Sequence, residues 1–127
     1  MKEFLKLVDD QERKVVAIDF DGVIHRNSKG FFDGTVYDPP IEGSINAIKE
    51  MSKKYDLVIF TCKALEDRPL INEKTGIQLI NKWLQDYEIK KYIKEVTFIK
   101  PRAFLYIDDK GYRFTGWKEA LSFIEEL

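Results

Sequence analysis

The chain has 127 residues, enough to bury one core and too few for a second lobe of any size, so a single domain over 1–127 is expected. Hydrophobic residues make up 44% and charged residues 34%, a globular rather than a disordered composition. Lysine and arginine number 21 against 22 aspartates and glutamates, and the net charge of −1 excludes a global field that would steer the protein to a polyanion or a membrane surface.

The first ten residues place charge in every turn and lack the apolar centre of a signal peptide. No stretch approaches the roughly 20 apolar residues of a membrane span. Cys62 is the sole cysteine, which excludes an intrachain disulfide and suits a reducing compartment. A cytoplasmic protein without membrane partners is expected.

Residues 2–9 suit a short helix. Residues 14–18 form an apolar run rich in β-branched side chains, the pattern of a strand buried on both faces. Asp19 and Asp21 follow at i and i+2, a spacing that turns both carboxylates to one side of an extended chain, and Gly22 lets the backbone turn. Like charges held close repel unless a cation or a shared proton stabilises them, so the pair points to a divalent metal or to acid–base work. An Asp-Gly turn with two solvated acids is the competing reading.

Residues 22–38, polar and glycine-containing, suit a hairpin or flap over the end of this strand, with His25 as one of its residues and Phe31 and Phe32 packing it. Pro39 and Pro40 close the flap and lead to a helix over about 42–54, where Ile45, Ile48 and Met51 repeat at three-residue spacing. A second strand is expected over 56–61, then a charged loop over 63–73. Ile77, Ile80, Leu84 and Tyr87 next give the stripe of a core-facing helix. The lysines of 90–94 read as a solvated helix end. Two more apolar runs, 96–99 and 103–107, precede Asp108 and Asp109. A last helix from about Gly116 carries Trp117, Leu121 and Ile124 on one face, with Tyr112, Arg113 and Phe114 anchoring it. The alternation of strands and helices predicts a Rossmann-like α/β three-layer sandwich with a mainly parallel sheet.

In a parallel sheet the strands ending at Asp19, Thr61 and Asp108 deliver their last residues to one edge, where open α/β sheets bind ligands. Asp19, Asp21, Asp108 and Asp109 are hard oxygen donors suited to Mg²⁺. A hydroxyl from Thr61 and an ammonium from Lys100 suit the oxygens of a phosphoryl group, whose transfer depends on positioning and charge neutralisation. An aspartate can also act as nucleophile and form an aspartyl-phosphate. Cys62 and Lys63 adjoin Thr61 and join the phosphate-binding candidates, Cys62 as a small buried neighbour.

With these motifs in this order the chain resembles the haloacid dehalogenase superfamily of phosphohydrolases. The matching residues are Asp19-Phe20-Asp21-Gly22-Val23, Thr61 after Val58-Ile59-Phe60, Lys100-Pro101, and Ile107-Asp108-Asp109, spanning nearly the whole chain. The resemblance implies that Asp19 attacks phosphorus and that Asp21 protonates the leaving group and then activates water. It implies that Thr61 and Lys100 hold the phosphoryl. It also implies that Mg²⁺ binds Asp19, the backbone carbonyl of Asp21, and Asp108, with Asp109 in support. Thirty-nine residues separate Asp21 from Thr61 and 38 separate Thr61 from Lys100, too few for a separate cap domain. The chain is similar to compact phage and bacterial members and to deoxyribonucleotidases. An open site of this kind suits a large phosphorylated substrate.

Lys100 precedes Asp108 by only eight residues. A full strand over 103–108, at about 3.3 Å per residue, starts roughly 20 Å from the carboxylate edge. Either that strand is shorter, or another cation such as Lys63 holds the phosphate. The functional alternatives are a polynucleotide end phosphatase, with a basic and aromatic groove leading to Asp19, a nucleotidase whose flap holds a base, and a catalytically idle binding or regulatory module.

Overall fold

A computed structural model describes residues 13–31 and 33–127. The helix expected over 2–9 and the packing role of Phe32 lie outside the described residues. Four strands, β1 (Val15–Ile18), β2 (Asp56–Phe60), β3 (Glu95–Thr97) and β4 (Leu105–Ile107), form one all-parallel sheet in the order β3-β2-β1-β4. Among the described residues three α-helices accompany them: α1 (Ser44–Ser52), α2 (Gly76–Asp86) and α3 (Trp117–Glu125). The architecture is Rossmann-like α/β, and no separate cap is present among the described residues.

Register follows from the apolar runs. Val16 lies beside Leu57 and Leu105, and Ile18 beside Ile59 and Ile107, so one face presents a continuous apolar row across three strands. Ile48 of α1 and Ile80, Trp83 and Leu84 of α2 cover that row over β1 and β2, leaving Leu105 on β4 exposed, and form the main core with Phe20, Ile24, Ile89 and Ile93. Thr75 starts α2 with a capping box: its hydroxyl accepts the Gln78 N–H at 3.2 Å while Gln78 returns an acceptor to the Thr75 N–H at 2.9 Å. The lysines at 90 and 91 sit on a 3₁₀ turn between buried Ile89 and Ile93.

Several boundaries differ from the sequence expectation. β3 ends at Thr97, not Ile99, because the Thr97 hydroxyl oxygen accepts the Ile99 N–H at 3.0 Å and turns the chain off the sheet. β4 occupies only residues 105–107. In α2 the inward stripe runs through Trp83, while Tyr87 is the C-cap residue, its ring 4.8 Å from that of Trp83. The last helix forms where expected, but Trp117, Leu121 and Ile124 are exposed and Ala120 is its buried residue. Its aromatic contacts are local: Phe114 packs on Trp117 and Tyr112 on Phe123. The flap is an irregular loop rather than a hairpin, pinned by Ser28 N–H to Asp38, Tyr37 hydroxyl to the Gly30 carbonyl, and Ile41 N–H to the Ile24 carbonyl. No helix among the described residues is long and apolar enough to cross a membrane.

Candidate active site

The parallel ladder continues one residue past the strands, and this continuation builds the site. The Asp19 N–H donates to the Ile107 carbonyl at 2.9 Å, which brings the end of β1 beside the start of Asp108-Asp109. The Thr61 N–H donates to the Thr97 carbonyl at 3.0 Å, which holds the end of β2 at the same edge. Carboxylate oxygens of Asp19, Asp108 and Asp109 consequently lie within 4.8 Å of one another. Gly22, at φ 83°, makes room for this cluster, because a Cβ there would fall 2.5 Å from Asp109 Oδ2. Asp108 is steadied by the Lys110 N–H, which donates to its Oδ1 at 2.8 Å.

Asp21 does not join that cluster. The turn after Phe20 carries its carboxylate to the flap side, where His25 Nδ1 lies 2.8 Å from Oδ1 and Lys63 Nζ 3.2 Å from Oδ2. The four-carboxylate group expected from spacing is thus a triad plus a separately held Asp21. The electrostatics divide in the same way. Burial pushes the Asp19 carboxyl up from 3.8 to about 6, with the charges of Asp108, Asp109 and Asp21 adding to it and the Phe20 N–H on its Oδ1 opposing it. Asp21 is also penalised by burial, but the His25 hydrogen bond and the Lys63 charge outweigh that and hold it below its ordinary range.

Thr61 is buried in extended conformation at the strand end, and its hydroxyl oxygen accepts the Lys63 N–H at 3.2 Å, capping the 3₁₀ turn Cys62–Ala64. That turn alternates directions. Lys63 points inward and is only 3% exposed, donating also to the Thr35 carbonyl at 3.3 Å, whereas Cys62 is exposed and not the buried neighbour expected. The turn sits directly on α2, since a Cβ at Gly76 would fall 1.8 Å from the Lys63 carbonyl oxygen.

Lys100 is exposed, with Nζ 4.8 Å over the Tyr106 ring. It lines, together with Asp19, Asp108, Phe60, Tyr106 and Arg113, a cleft of about 840 Å³. Of the two candidate cations, Lys63 contacts an aspartate of the site and Lys100 stands along the approach. Phe31 is half exposed on the flap, with the Arg68 guanidinium 4.7 Å from its ring centre and Lys63 Nζ 5.7 Å.

His25, expected from the sequence as a residue of the flap, is completely buried against Asp21. The available signal was the i, i+4 spacing across an Asp-Gly turn, which here brings the chain back on itself through Gly22 N–H to the His25 carbonyl at 2.9 Å and His25 N–H to the Phe20 carbonyl at 3.0 Å. The donor set of the triad suits a hard divalent cation: three carboxylates converge, and burial together with their mutual repulsion raises the Asp19 carboxyl to about 6, a penalty that a bound cation would relieve.

Comparison with protein-family models, with curated proteins and with solved structures finds no match to this chain.

Proposed function

We propose that the protein is a Mg²⁺-dependent phosphatase that cleaves a phosphomonoester through an aspartyl-phosphate on Asp19, in the manner of the haloacid dehalogenase superfamily its motifs resemble. The observation that carries this reading is the division of labour at the sheet edge: Asp19 stands in the triad with Asp108 and Asp109, and Asp21 stands apart between His25 and Lys63. Asp19, Asp108 and Asp109, with the Asp21 backbone carbonyl implied by the resemblance, would hold the cation, which when bound neutralises charge on the phosphoryl oxygens.

A carboxylate oxygen of Asp19 bonds to phosphorus as the bond from phosphorus to the leaving oxygen breaks, and Asp21, acting in its protonated form, the minor one at neutral pH given its lowered pKa, gives that oxygen its proton. Water then attacks the phosphorus of the acyl phosphate and loses a proton to Asp21. The Asp19–phosphorus bond breaks, which releases inorganic phosphate and regenerates both carboxyl groups. Thr61 and Lys63, joined through the capped turn, orient the phosphoryl, and Lys100 meets the remainder of the substrate along the cleft. One observation favours a nucleotide or a nucleic-acid end as that remainder: Phe60, Phe104, Tyr106 and Tyr112 line the same cleft as Lys100, Arg113 and Asp19, a combination that suits stacked rings and backbone phosphate.

The test is phosphate release from generic phosphomonoesters, nucleotides and 3′- or 5′-phosphorylated oligonucleotides, with Mg²⁺ or chelator, by the parent and by Asp19→Asn. Metal-dependent release abolished by the substitution is expected. No release from any member, despite measured Mg²⁺ binding, rejects the hydrolytic reading in favour of a binding or regulatory module.

A further inference from the structure

His25 is the single histidine of the chain and is 0% exposed. Its ring stacks on Phe20 with centroids 5.3 Å apart and meets Tyr37 and Trp83 edge-on at 5.1 and 5.9 Å. Both ring nitrogens are engaged. The backbone N–H of Asp38 donates to Nε2 at 2.9 Å, and Nδ1 lies 2.8 Å from Asp21 Oδ1. A backbone amide can only donate, so Nε2 is an acceptor and carries no proton. The one proton of a neutral imidazole therefore sits on Nδ1 and points at Asp21. The partner amide is itself fixed, since Trp83 Nε1 of α2 donates to the Asp38 carbonyl at 2.8 Å and the Asp38 carboxylate accepts the Ser28 N–H at 2.6 Å.

We propose that His25, protonated on Nδ1 alone, is a positioning residue that locks Asp21 by capping Oδ1, so that Oδ2, beside Lys63, is the oxygen that exchanges protons with the leaving group and with water. This rests on the reading of Asp21 as acid and base. The chain of contacts runs from α2 through Asp38 and the imidazole to Asp21, and ties the position of Asp38 on the flap to the orientation of the carboxylate. A rotamer change at Asp21 would leave the His25 N–H in an apolar, aromatic pocket without an acceptor, a cost that favours the observed rotamer.

Two measurements decide it. In the parent protein, ¹⁵N NMR of the lone histidine is expected to give a protonated, pyrrole-type Nδ1 and an unprotonated, pyridine-type Nε2. A proton on Nε2 overturns the proposal. This measurement needs no enzymatic activity, so absence of phosphatase activity in the parent rejects the hydrolytic reading while the imidazole assignment is still decided. In kinetics, His25→Phe keeps the ring stack and removes both polar contacts. Its kcat is expected to fall about 10–100-fold with little change in KM, and His25→Asn, whose amide restores a donor near the Nδ1 position, is expected to recover part of the loss. A folded His25→Phe with kcat within about twofold of the parent overturns the proposal. If that variant does not fold, the ¹⁵N result decides alone.

Discussion

Asp19→Asn is expected to stabilise the metal-free protein at neutral and alkaline pH, although it removes the proposed nucleophile. The folded protein raises the Asp19 carboxyl from 3.8 to about 6, chiefly by burial and then by the charges of Asp108, Asp109 and Asp21. At about 1.4 kcal/mol per pH unit, that rise corresponds to about 3 kcal/mol for an enclosed group. Asp19 is only half-buried, and solvent screening reduces the figure to about 1–1.5 kcal/mol. Between 3.8 and about 6 the folded state binds more protons than the unfolded chain, so stability falls as pH rises across that window and stays low above it. Asparagine keeps a side-chain oxygen for the Phe20 N–H, which donates at 2.7 Å, and carries no charge. For a chain of 127 residues the unfolding entropy is about 270 cal/mol/K, so the thermal midpoint in chelator at about pH 8 should rise by about 4–6 °C. The gain should shrink toward zero near pH 4, where the parent carboxyl is protonated as well. Scanning calorimetry across that pH range checks this, and Mg²⁺ should raise the midpoint of the parent more than that of the variant. An unchanged or lower midpoint at pH 8, or an equal gain at both pH values, would refute the reasoning.

Lys63→Met should destabilise the fold by about 1–3 kcal/mol at neutral pH, less than the loss of a fully enclosed pair because Asp21 keeps its hydrogen bond to His25. Lys63 helps hold Asp21 below 3.8, so this contribution exists above that value and disappears as pH falls through the folded-state pKa; urea titrations at neutral and acid pH should show the gap between parent and variant closing. Gly76→Ala forces a Cβ onto the Lys63 carbonyl oxygen and should cost about 2–4 kcal/mol by chemical denaturation, since backbone on both sides must move. An alanine variant as stable as the parent would show that α2 and the Cys62–Ala64 turn are not so closely opposed.

Local pattern in the sequence determined the elements. The β-branched runs before Asp19 and Thr61 mark strands because an extended chain with apolar groups on both sides has to be buried, and the helical stripe through Ile77, Ile80 and Leu84 marks α2 for the same reason; the run before Asp108 also forms a strand, but leaves Leu105 and Tyr106 exposed. Alternation of these elements implied the parallel sheet, and a parallel sheet brings Asp19, Thr61 and Asp108 to one edge. Tertiary structure alone decided how side chains divide that edge. Spacing placed Asp21 with Asp19, yet the Gly22 turn and the buried His25 draw it away to Lys63. Spacing could not choose between Lys63 and Lys100 as the cation beside the carboxylates, because that depends on a three-residue turn whose direction is set by the Thr61 cap and by contact with Gly76 on a distant helix. Nor could periodicity tell that α3 leaves Trp117, Leu121 and Ile124 exposed, since an apolar stripe says which face a helix offers and not whether another element lies against it. Periodicity is a property of neighbours along the chain, whereas burial and ion pairing such as that of Lys63 with Asp21 are set by groups tens of residues apart, and only the packed fold brings those together.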